Sequence, residues 1–330
     1  MEWTPAGLRS LVKPQEANLA LHPVSTVFSA SINIIQGFAI AVAGGKVTVG
    51  EKPKSVPQGE MGHTKEIPYD ILLVATGGKY DASSTSFLKN PTNATNVRAR
   101  IAQFEAKAEA LRAAKQILIV GSGAMGTELA AEIKHEYPQK EVTLAGRSAM
   151  LLPGFSAKSQ SRAASHMAKV GVKVELNKNI SHSDEAGYDL VYHCTGFTPS
   201  TDFLKDGDLA GALDTKGFVK TGPDGLVSGQ KNVFAFGDIV TPGHMEAPFL
   251  SGYAAGQLAP KIAANIVRMS KGKATKSLGK APAKTGGVVS LGPAAGVGNF
   301  DGFNLPMFIV VMMKSKDVFR KKYAAIFRKK

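Results

Sequence analysis

The sequence predicts an α/β fold, in which helices cover parallel β-sheets. Three observations lead to this prediction. Apolar strands alternate with helix-like segments from residue 116 to residue 176, and several strands end in a glycine-containing turn. The chain has 330 residues, of which 44% are hydrophobic, so it can bury the cores of about two domains. Its 35 glycines suit a fold with many tight strand-to-helix turns.

The first third of the chain is predicted to be rich in strands. FAIAVA (38–43) and KVTVG (46–50) flank Gly44-Gly45, a pattern typical of a β-hairpin. A buried-strand pattern follows at 69–74 and ends in Ala75-Thr76-Gly77-Gly78. A helix over about 96–115 then precedes the strand at 116–120.

The strongest local motif is GSGAMG, which follows the strand at 116–120 and opens a helix. Gly121 permits a tight turn, Gly123 lets a diphosphate approach the backbone, and Gly126 lets the helix pack close to the sheet. The helix N-terminus offers free N–H groups to phosphates. A second strand at 141–144 completes a βαβ unit. The motif therefore predicts a dinucleotide site, the alternative being a glycine-rich turn without a ligand.

The end of the second strand bears on which nucleotide binds. A carboxylate usually stands there in NAD-selective sites, whereas this chain reads Ala145-Gly146-Arg147-Ser148. No acid is present to repel a 2′-phosphate, and Arg147 is able to pair with one. This favours NADPH, or the use of both nucleotides. The alternative, that Arg147 points to solvent, stays open.

Other residue types limit the chemistry. Cys194 is the single cysteine, so no intramolecular disulfide and no C-x-x-C redox pair can form. The seven histidines lack metal-ligand spacing, and no metal site is predicted. Glu128 lies in the first turn of the helix after the glycine turn, where it either complements the helix dipole or lies near a bound nucleotide.

The charge is concentrated in the tail. The formal net charge is +14, and residues 271–330 hold 13 basic residues against Asp301 and Asp317. Within the tail an apolar run, Met307 to Met313, precedes most of the cations. This order is typical of an interfacial segment that meets anionic lipid, although a solvated tail or an element packed on its own domain would show it too. The sequence contains no recognised nucleic-acid-binding module, and nucleic acid is not predicted as a partner.

The order of the glycine motifs carries a family resemblance. The chain reads YDILLVATG (69–77), GSGAMGTELAAEI (121–133), YHCTGFTPS (192–200) and NVFAFGDIV (232–240). This resembles the two-dinucleotide-binding-domain flavoproteins. AAEIKHEYPQKEVTL (130–144), with GVGNFDGF and MKSKDVF in the tail, resembles the apoptosis-inducing-factor-like NAD(P)H:quinone oxidoreductases among them.

The resemblance implies FAD and NAD(P)H as cofactors and assigns roles to particular residues. Glu128 would lie by the nicotinamide, and Lys314 and Phe319 near the flavin and quinone. Including the dinucleotide turn and the end of the second strand, the expected cofactor-binding residues are Thr76, Gly77, Gly121, Gly123, Gly126, Arg147, Thr195, Gly196, Gly237 and Asp238. Asp238 would hold the ribityl and diphosphate part of the flavin.

The resemblance also implies two Rossmann-like three-layer domains and a small C-terminal module. The expected segments are a partial FAD-binding domain (1–95), an inserted NAD(P)-binding domain (115–198), a second FAD-binding segment (199–270) and a basic module that meets a membrane (285–330). The family's first G-x-G-x-x-G does not occur in residues 1–69. The chain is therefore expected to begin inside the FAD-binding domain.

Three hypotheses for the function follow. The first is a flavin-dependent NAD(P)H:quinone oxidoreductase in the cytoplasm, at the surface of membranes or lipid droplets. The second is a soluble flavoenzyme with another acceptor, for which the tail would be structural. The third is a non-catalytic NAD(P)-binding protein that lacks FAD.

Overall fold

The computed structural model of the chain describes residues 2–51, 62–80, 85, 87–88, 96–241, 252–279 and 286–328. In chain order, the strands of this part are β1 (Phe38–Ala43), β2 (Lys46–Gly50), β3 (Thr64–Pro68), β4 (Leu72–Val74), β5 (Gly78–Lys79), β6 (Gln116–Val120), β7 (Glu141–Ala145), β8 (Val172–Glu175), β9 (Leu190–His193), β10 (Thr198–Pro199), β11 (Val233–Ala235), β12 (Gly286–Ser290), β13 (Gly296–Phe300) and β14 (Phe303–Asn304). The α-helices are α1 (Gly7–Val12), α2 (Val24–Val27), α3 (Val97–Ala113), α4 (Ala124–Glu136), α5 (Ala157–Lys169), α6 (His182–Glu185), α7 (Gly252–Ser270), α8 (Met307–Val310) and α9 (Arg320–Arg328). Shorter turns are the 3-10 helices at Thr4–Ala6, Pro14–Ala20, Asp202–Leu204, Ala210–Ala212 and Gly237–Ile239, and a π-helical turn at Val311–Ser315.

The chain divides into two compact units that interleave along the sequence. The first unit comprises Met1–Ile32, Tyr80–Gly196 and Thr285–Lys330. The second unit comprises Asn33–Lys79 and Phe197–Lys284. Each unit contains strands and helices, and the predicted α/β class is confirmed.

A four-stranded parallel sheet forms the centre of the first unit, in the order β8-β7-β6-β9. β6 lies inside the sheet, where Ile117 and Ile119 join one apolar cluster and Leu118 joins another with Ala145, so these three β6 side chains are at most 1% exposed. The helices α3, α4 and α5 add their apolar faces to the core of this sheet. α3 starts where predicted, because the Asn96 side chain accepts a hydrogen bond of 2.9 Å from the Ala99 N–H.

The C-terminal segment belongs to the same unit. Strands β12, β13 and β14 form an antiparallel sheet, and Val289, Leu291 and Val297 are buried in the core that α4 and α5 share. Residues 285–330, which the sequence suggests are a separate module, thus pack in the first unit together with its parallel sheet and helices. The physical reason is that the apolar strands of this segment cannot bury their side chains alone.

The described residues of the second unit form three small sheets. β1, β2 and β3 form an antiparallel sheet, and the predicted hairpin turn is confirmed, with Gly44 and Gly45 at φ +57° and +71°. β4 and β11 pair in parallel, and β5 pairs with β10. α7 packs through Leu258 and Ile262, which form a buried cluster with Phe234 of β11.

Some predicted bounds differ from those observed. The strand predicted at 69–74 is confined to β4, at Leu72–Val74. The helix predicted from about 247 is described as α7 from Gly252, and residues 242–251 lie outside the described part. Most of the predicted break at 53–62 also lies outside it. No helix among the described residues has both the length and the apolar character needed to cross a bilayer.

Candidate functional site

The glycine turn lies between β6 and α4 in the first unit. Gly121 has φ +123°, and a Cβ there would overlap the carbonyl of Cys194. A Cβ on Gly126 would overlap the Gly121 carbonyl oxygen, because the start of α4 lies against the turn. Gly123 differs from both, since a Cβ on it would meet no atom within 4 Å. Packing requires two of these glycines, and the third leaves open space.

The N-terminus of α4 is suited to an anion. Gly123 is its N-cap residue, so no side-chain oxygen caps the first turn. The unpaired N–H groups and the positive end of the helix dipole are available to a phosphate. Open space at Gly123 and an uncapped helix start fit the diphosphate of a nicotinamide nucleotide.

The end of β7 carries the residues predicted to select the nucleotide. The Gly146 N–H donates to the Glu175 carbonyl at 2.9 Å, and Arg147 is exposed. The Glu175 carboxylate accepts from Lys173 Nζ at 2.7 Å and Lys178 Nζ at 2.9 Å. These two hydrogen bonds lower the pKa of Glu175, so it stays ionised and paired. The charge of Glu175, the acid whose backbone pairs with Gly146, is thus already offset by two lysines.

Glu128 and Lys314 meet, although 186 positions separate them. α4 carries Glu128, the π-helical turn carries Lys314, and the two side chains form an ion pair in which each is 12% exposed. Glu128 Oε1 also accepts from the Ser290 N–H at 2.8 Å, and Lys314 Nζ donates to the Val288 carbonyl at 3.0 Å. The structure thus brings together two of the three predicted catalytic residues. Their catalytic roles stay a prediction.

Phe319, the third predicted catalytic residue, lies in a strained turn. Val318 and Phe319 have φ +47° and +62°, which is uncommon outside glycine and asparagine. The Phe319 ring packs edge-to-face on Trp3, with the ring centres 6.4 Å apart. Its predicted role in catalysis also stays a prediction.

The flavin-type motifs lie mainly in the second unit. β4 and β11 run in parallel, so the residues after them, Thr76-Gly77 and Gly237-Asp238, follow the same edge of the sheet. Gly77 has φ +66° and Gly237 has φ +81°, and no atom lies within 4 Å of a Cβ built on either. Thr76 Oγ1 donates to the Ser200 carbonyl at 2.8 Å. This open, glycine-lined edge fits the ribityl and diphosphate side of a flavin nucleotide.

Residues 1–69 lack a G-x-G-x-x-G turn, which is the element that holds a second diphosphate in two-nucleotide flavoproteins. Thr195 and Gly196, the remaining predicted cofactor residues, follow β9 in the first unit, with Gly196 at φ +114°.

Sequence reasoning missed two residues that the structure places beside Glu128. Arg9 and Glu132 form a buried ion pair, 4% and 3% exposed. Glu132 lies four residues after Glu128, on the same face of α4, and this spacing is a signal that could have identified it. Nothing in the sequence indicates Arg9, which lies 123 positions from its partner.

The environment of Cys194 disfavours the thiolate form. The residue is buried, and burial raises the pKa of its thiol to about 12. The thiolate that disulfide exchange needs is therefore nearly absent near neutral pH. Among the described residues, no cluster of three histidine, cysteine or acidic side chains could hold a metal ion.

Curated relatives resemble the chain over most of its length. Ferroptosis suppressor protein 1 from Xenopus tropicalis is 29% identical and covers 78% of this chain and 71% of its own. Apoptosis-inducing factor homolog B from Dictyostelium discoideum is 27% identical and covers 78% and 74%. Both carry names from the lineage that the sequence motifs indicated.

Solved structures share the fold at low sequence identity. Reduced Bacillus anthracis CoADR-RHD has a TM-score of 0.65 at 16% identity and covers 90% of this chain, which spans 54% of that protein. An NADPH-bound, engineered water-forming NADPH oxidase, a mutant of the Lactobacillus brevis enzyme, has a TM-score of 0.53 at 20% identity, with coverage of 79% and 57%.

The family model for pyridine nucleotide-disulphide oxidoreductases matches residues 12–257, well over half of the chain. The match spans the glycine turn, α4 and the β4 and β11 edge, which are the elements that fit the two nucleotides. The predicted relationship and the predicted cofactors are thereby confirmed at the level of the family. The chain belongs to the pyridine nucleotide-disulphide oxidoreductases, a family of oxidoreductases that use FAD and a nicotinamide nucleotide.

Proposed function

We propose that this protein transfers hydride from NAD(P)H to FAD and then to a quinone-type acceptor at a membrane surface. The Glu128–Lys314 ion pair is the observation that carries the proposal. Its acid, Glu128, lies two residues beyond Gly126, on the helix whose N-terminus fits the nucleotide diphosphate. The relatives named ferroptosis suppressor protein 1 support an oxidoreductase of this lineage.

FAD, when bound, supplies the chemistry of hydride acceptance and transfer. The protein's own groups position the reactants and stabilise the charge that develops on the acceptor. The Lys314 ammonium has three N–H donors, of which one is given to Glu128 and one to the Val288 carbonyl. We propose that the third is given to a carbonyl oxygen of the acceptor. A quinone suits this donor, because reduction places negative charge on that oxygen.

The acceptor is proposed to be a small molecule that needs no thiol relay. The single cysteine is buried, so a dithiol relay of the C-x-x-C kind is excluded. Without a thiol relay, a bound flavin would pass the two electrons of the hydride directly to the acceptor, and a quinone can take them up with two protons, one from the hydride and one from solvent, to form a quinol.

The proposal is tested on the purified full chain supplied with FAD. The expected results are the visible absorption bands of protein-bound oxidised flavin, their loss on addition of NAD(P)H, and their return with a soluble quinone. A protein that binds the nicotinamide nucleotide but takes up no FAD would contradict the proposal and support the non-catalytic hypothesis. Flavin that NAD(P)H reduces but a quinone does not reoxidise would indicate another acceptor.

Selectivity for NADPH is a first expected property of this site. The neighbouring NADPH-bound oxidase is engineered by substitutions that include a consecutive Asp-Ala-Met run changed to Ala-Arg-Ser. This chain has Gly146-Arg147-Ser148 after the second strand of its sheet, with Arg147 exposed. We expect Arg147→Ala to raise the KM for NADPH by about tenfold, the effect of one lost hydrogen bond to a charged group.

The measurement is the ratio of KM values for NADPH and NADH in the wild type and in Arg147→Ala. The KM for NADH should stay within about twofold, because NADH lacks the 2′-phosphate. Lys158→Ala, a lysine exposed on α5, is the matched control for loss of one surface cation. Equal changes in both KM values would show that Arg147 does not recognise the phosphate.

Contact with a membrane is proposed through one surface of the first unit, which we call the apolar tail surface. It consists of exposed apolar side chains on and around α8, namely Phe303, Met307, Phe308, Met312 and Met313. Phe303 is 81% exposed and Met312 is 74% exposed. The exposed cations Lys316 and Lys321 follow in the chain, which suits anionic headgroups around an inserted apolar patch.

Phe308→Ser/Met312→Ser is expected to reduce binding to vesicles that contain phosphatidylserine by about tenfold, since it removes two apolar side chains from the contact. Co-sedimentation of full-length protein with the vesicles is the measurement. Val267→Ser, at a 51% exposed valine on α7, is the control for loss of surface apolarity elsewhere. Point substitutions are preferable to removal of the tail, because Val310 and Val318 are part of the buried core. Undiminished binding by the double variant would contradict a role for this surface.

A further inference from the structure

We propose that the buried Arg9–Glu132 ion pair is the positioning element that holds the Lys314 ammonium against Glu128. This inference rests on the proposed function, because it treats Lys314 as a group of the redox site. It concerns the chain's own residues, and its test has a measurement that needs no bound cofactor.

The pair is held by two parallel hydrogen bonds. Arg9 Nε donates to Glu132 Oε2 at 3.1 Å, and Arg9 Nη2 donates to Glu132 Oε1 at 2.5 Å. The two side chains are 4% and 3% exposed. A buried ion pair adds little net stability, because desolvation offsets most of the attraction. The role of the Arg9–Glu132 pair is therefore sought in the groups that it holds in place, rather than in net stability.

Arg9 also reaches the segment that carries Lys314. Its Nη1 donates to the Lys316 carbonyl at 3.2 Å, two residues after Lys314. One planar guanidinium thus joins an acid on α4 to the backbone of the C-terminal turn. A lysine could not make the same three contacts, because an ammonium lacks the rigid fork of donors.

Ser290 links the two acids of α4. Its N–H donates to Glu128 Oε1 at 2.8 Å, and its hydroxyl, whose single proton is shared between two acceptors, lies 3.4 Å from Glu132 Oε1 and 3.0 Å from the Gly292 carbonyl oxygen. Glu128 and Glu132 are four residues apart and share one face of the helix. The position of Glu132 is therefore coupled to that of Glu128 through one residue of β12.

The C-terminal turn needs such restraint. It combines a π-helical turn at Val311–Ser315 with Val318 and Phe319 in the left-handed region, a combination that costs energy and persists where surrounding contacts hold it. A second N-terminal side chain contributes, since Trp3 Nε1 donates to the Val318 carbonyl at 2.7 Å. Arg9 and Trp3 of the N-terminal segment thus donate to the carbonyls of Lys316 and Val318, which follow Lys314 in the chain.

The test separates positioning from stability. Arg9→Met/Glu132→Met removes both charges and leaves no buried charge unpaired, so the melting temperature should stay close to that of the wild type. Arg100→Met/Glu2→Met is the matched control. That pair also lies in the first unit, with a buried arginine and a partly buried acid, 4% and 17% exposed, and with Arg100 Nε 2.7 Å from Glu2 Oε2. Within the described part of the chain, the Arg100 guanidinium donates to Glu2 and Gln103 and not to the C-terminal turn.

The first measurement is competitive acetylation of the apoprotein by acetic anhydride, read by mass spectrometry. Labelling of Lys314 relative to Lys216, an exposed lysine of the second unit, should rise severalfold in the Arg9/Glu132 double variant and stay unchanged in the control. The second measurement is NAD(P)H oxidation by the flavin-loaded enzyme. We expect kcat to fall about tenfold while the KM for the nucleotide stays within about twofold, because the glycine turn is untouched.

A folded double variant with wild-type labelling of Lys314 and wild-type kcat would overturn the proposal. Should the double variant not fold, Arg9→Lys decides, because it keeps the buried charge pair but loses the reach to Lys316. Raised labelling of Lys314 in Arg9→Lys supports the proposal, and unchanged labelling overturns it. If the wild type shows no NAD(P)H oxidation, the proposed function fails on its own, while the labelling result still decides the role of the ion pair.

Discussion

Gly126→Ala is expected to abolish binding of the nicotinamide nucleotide and to destabilise the first unit by about 3 kcal/mol, at the upper end of typical overpacking effects. The added methyl would overlap the Gly121 carbonyl oxygen, a backbone atom that cannot rotate away. α4 must then move off the turn, and its N-terminal N–H groups move with it. Both the binding site and the contact between helix and sheet are lost together.

Gly123→Ala is the informative partner of that substitution. A methyl there meets no protein atom within 4 Å, and the backbone, at φ −75° and ψ −173°, suits alanine. We expect an unchanged melting temperature together with nucleotide binding weakened by about tenfold or more, since the methyl occupies the space of the diphosphate. Thermal unfolding and fluorescence titration with NADPH and NADH are the measurements. Tight binding by Gly123→Ala would show that the diphosphate does not lie against this glycine.

Lys314→Met is expected to lower turnover by about 100-fold with little change in the KM for the nucleotide, as removal of one charge-stabilising donor does at a reacting oxygen. Its cost in stability is expected to be about 3 kcal/mol, because Glu128 is then left largely buried without its cation. Chemical denaturation and steady-state kinetics with a soluble quinone measure the two effects.

Glu128→Gln/Lys314→Met separates them. With both charges removed, most of the stability should return, whereas turnover should stay low because the donor to the acceptor is still absent. Turnover that recovers with stability would mean that Lys314 acts through folding alone. Turnover that is lost in Glu128→Gln but kept in Lys314→Met would assign the chemistry to the acid.

Local motifs allowed much of the fold to be predicted. The βαβ unit around GSGAMG, the Asn96 start of α3 and the hairpin at Gly44-Gly45 are all observed where their signals stand. Each depends on residues within a few positions of one another, through periodicity, helix capping or turn geometry. The C-terminal segment was harder, because its basic residues suggested a separate module while Val289 and Val297 are buried in the first unit's core.

The sequence by itself predicted the class of protein and a turn for a nicotinamide nucleotide, and it shows a single cysteine. These depend on glycine spacing, strand order and a cysteine count, all of which are written along the chain. Only the tertiary structure decided which charges meet. Arg9 and Glu132 are 123 positions apart, and Glu128 and Lys314 are 186 apart. Pairing of buried charges is set by the packing of α4, the N-terminal segment and the C-terminal turn around them, and no local pattern contains that information.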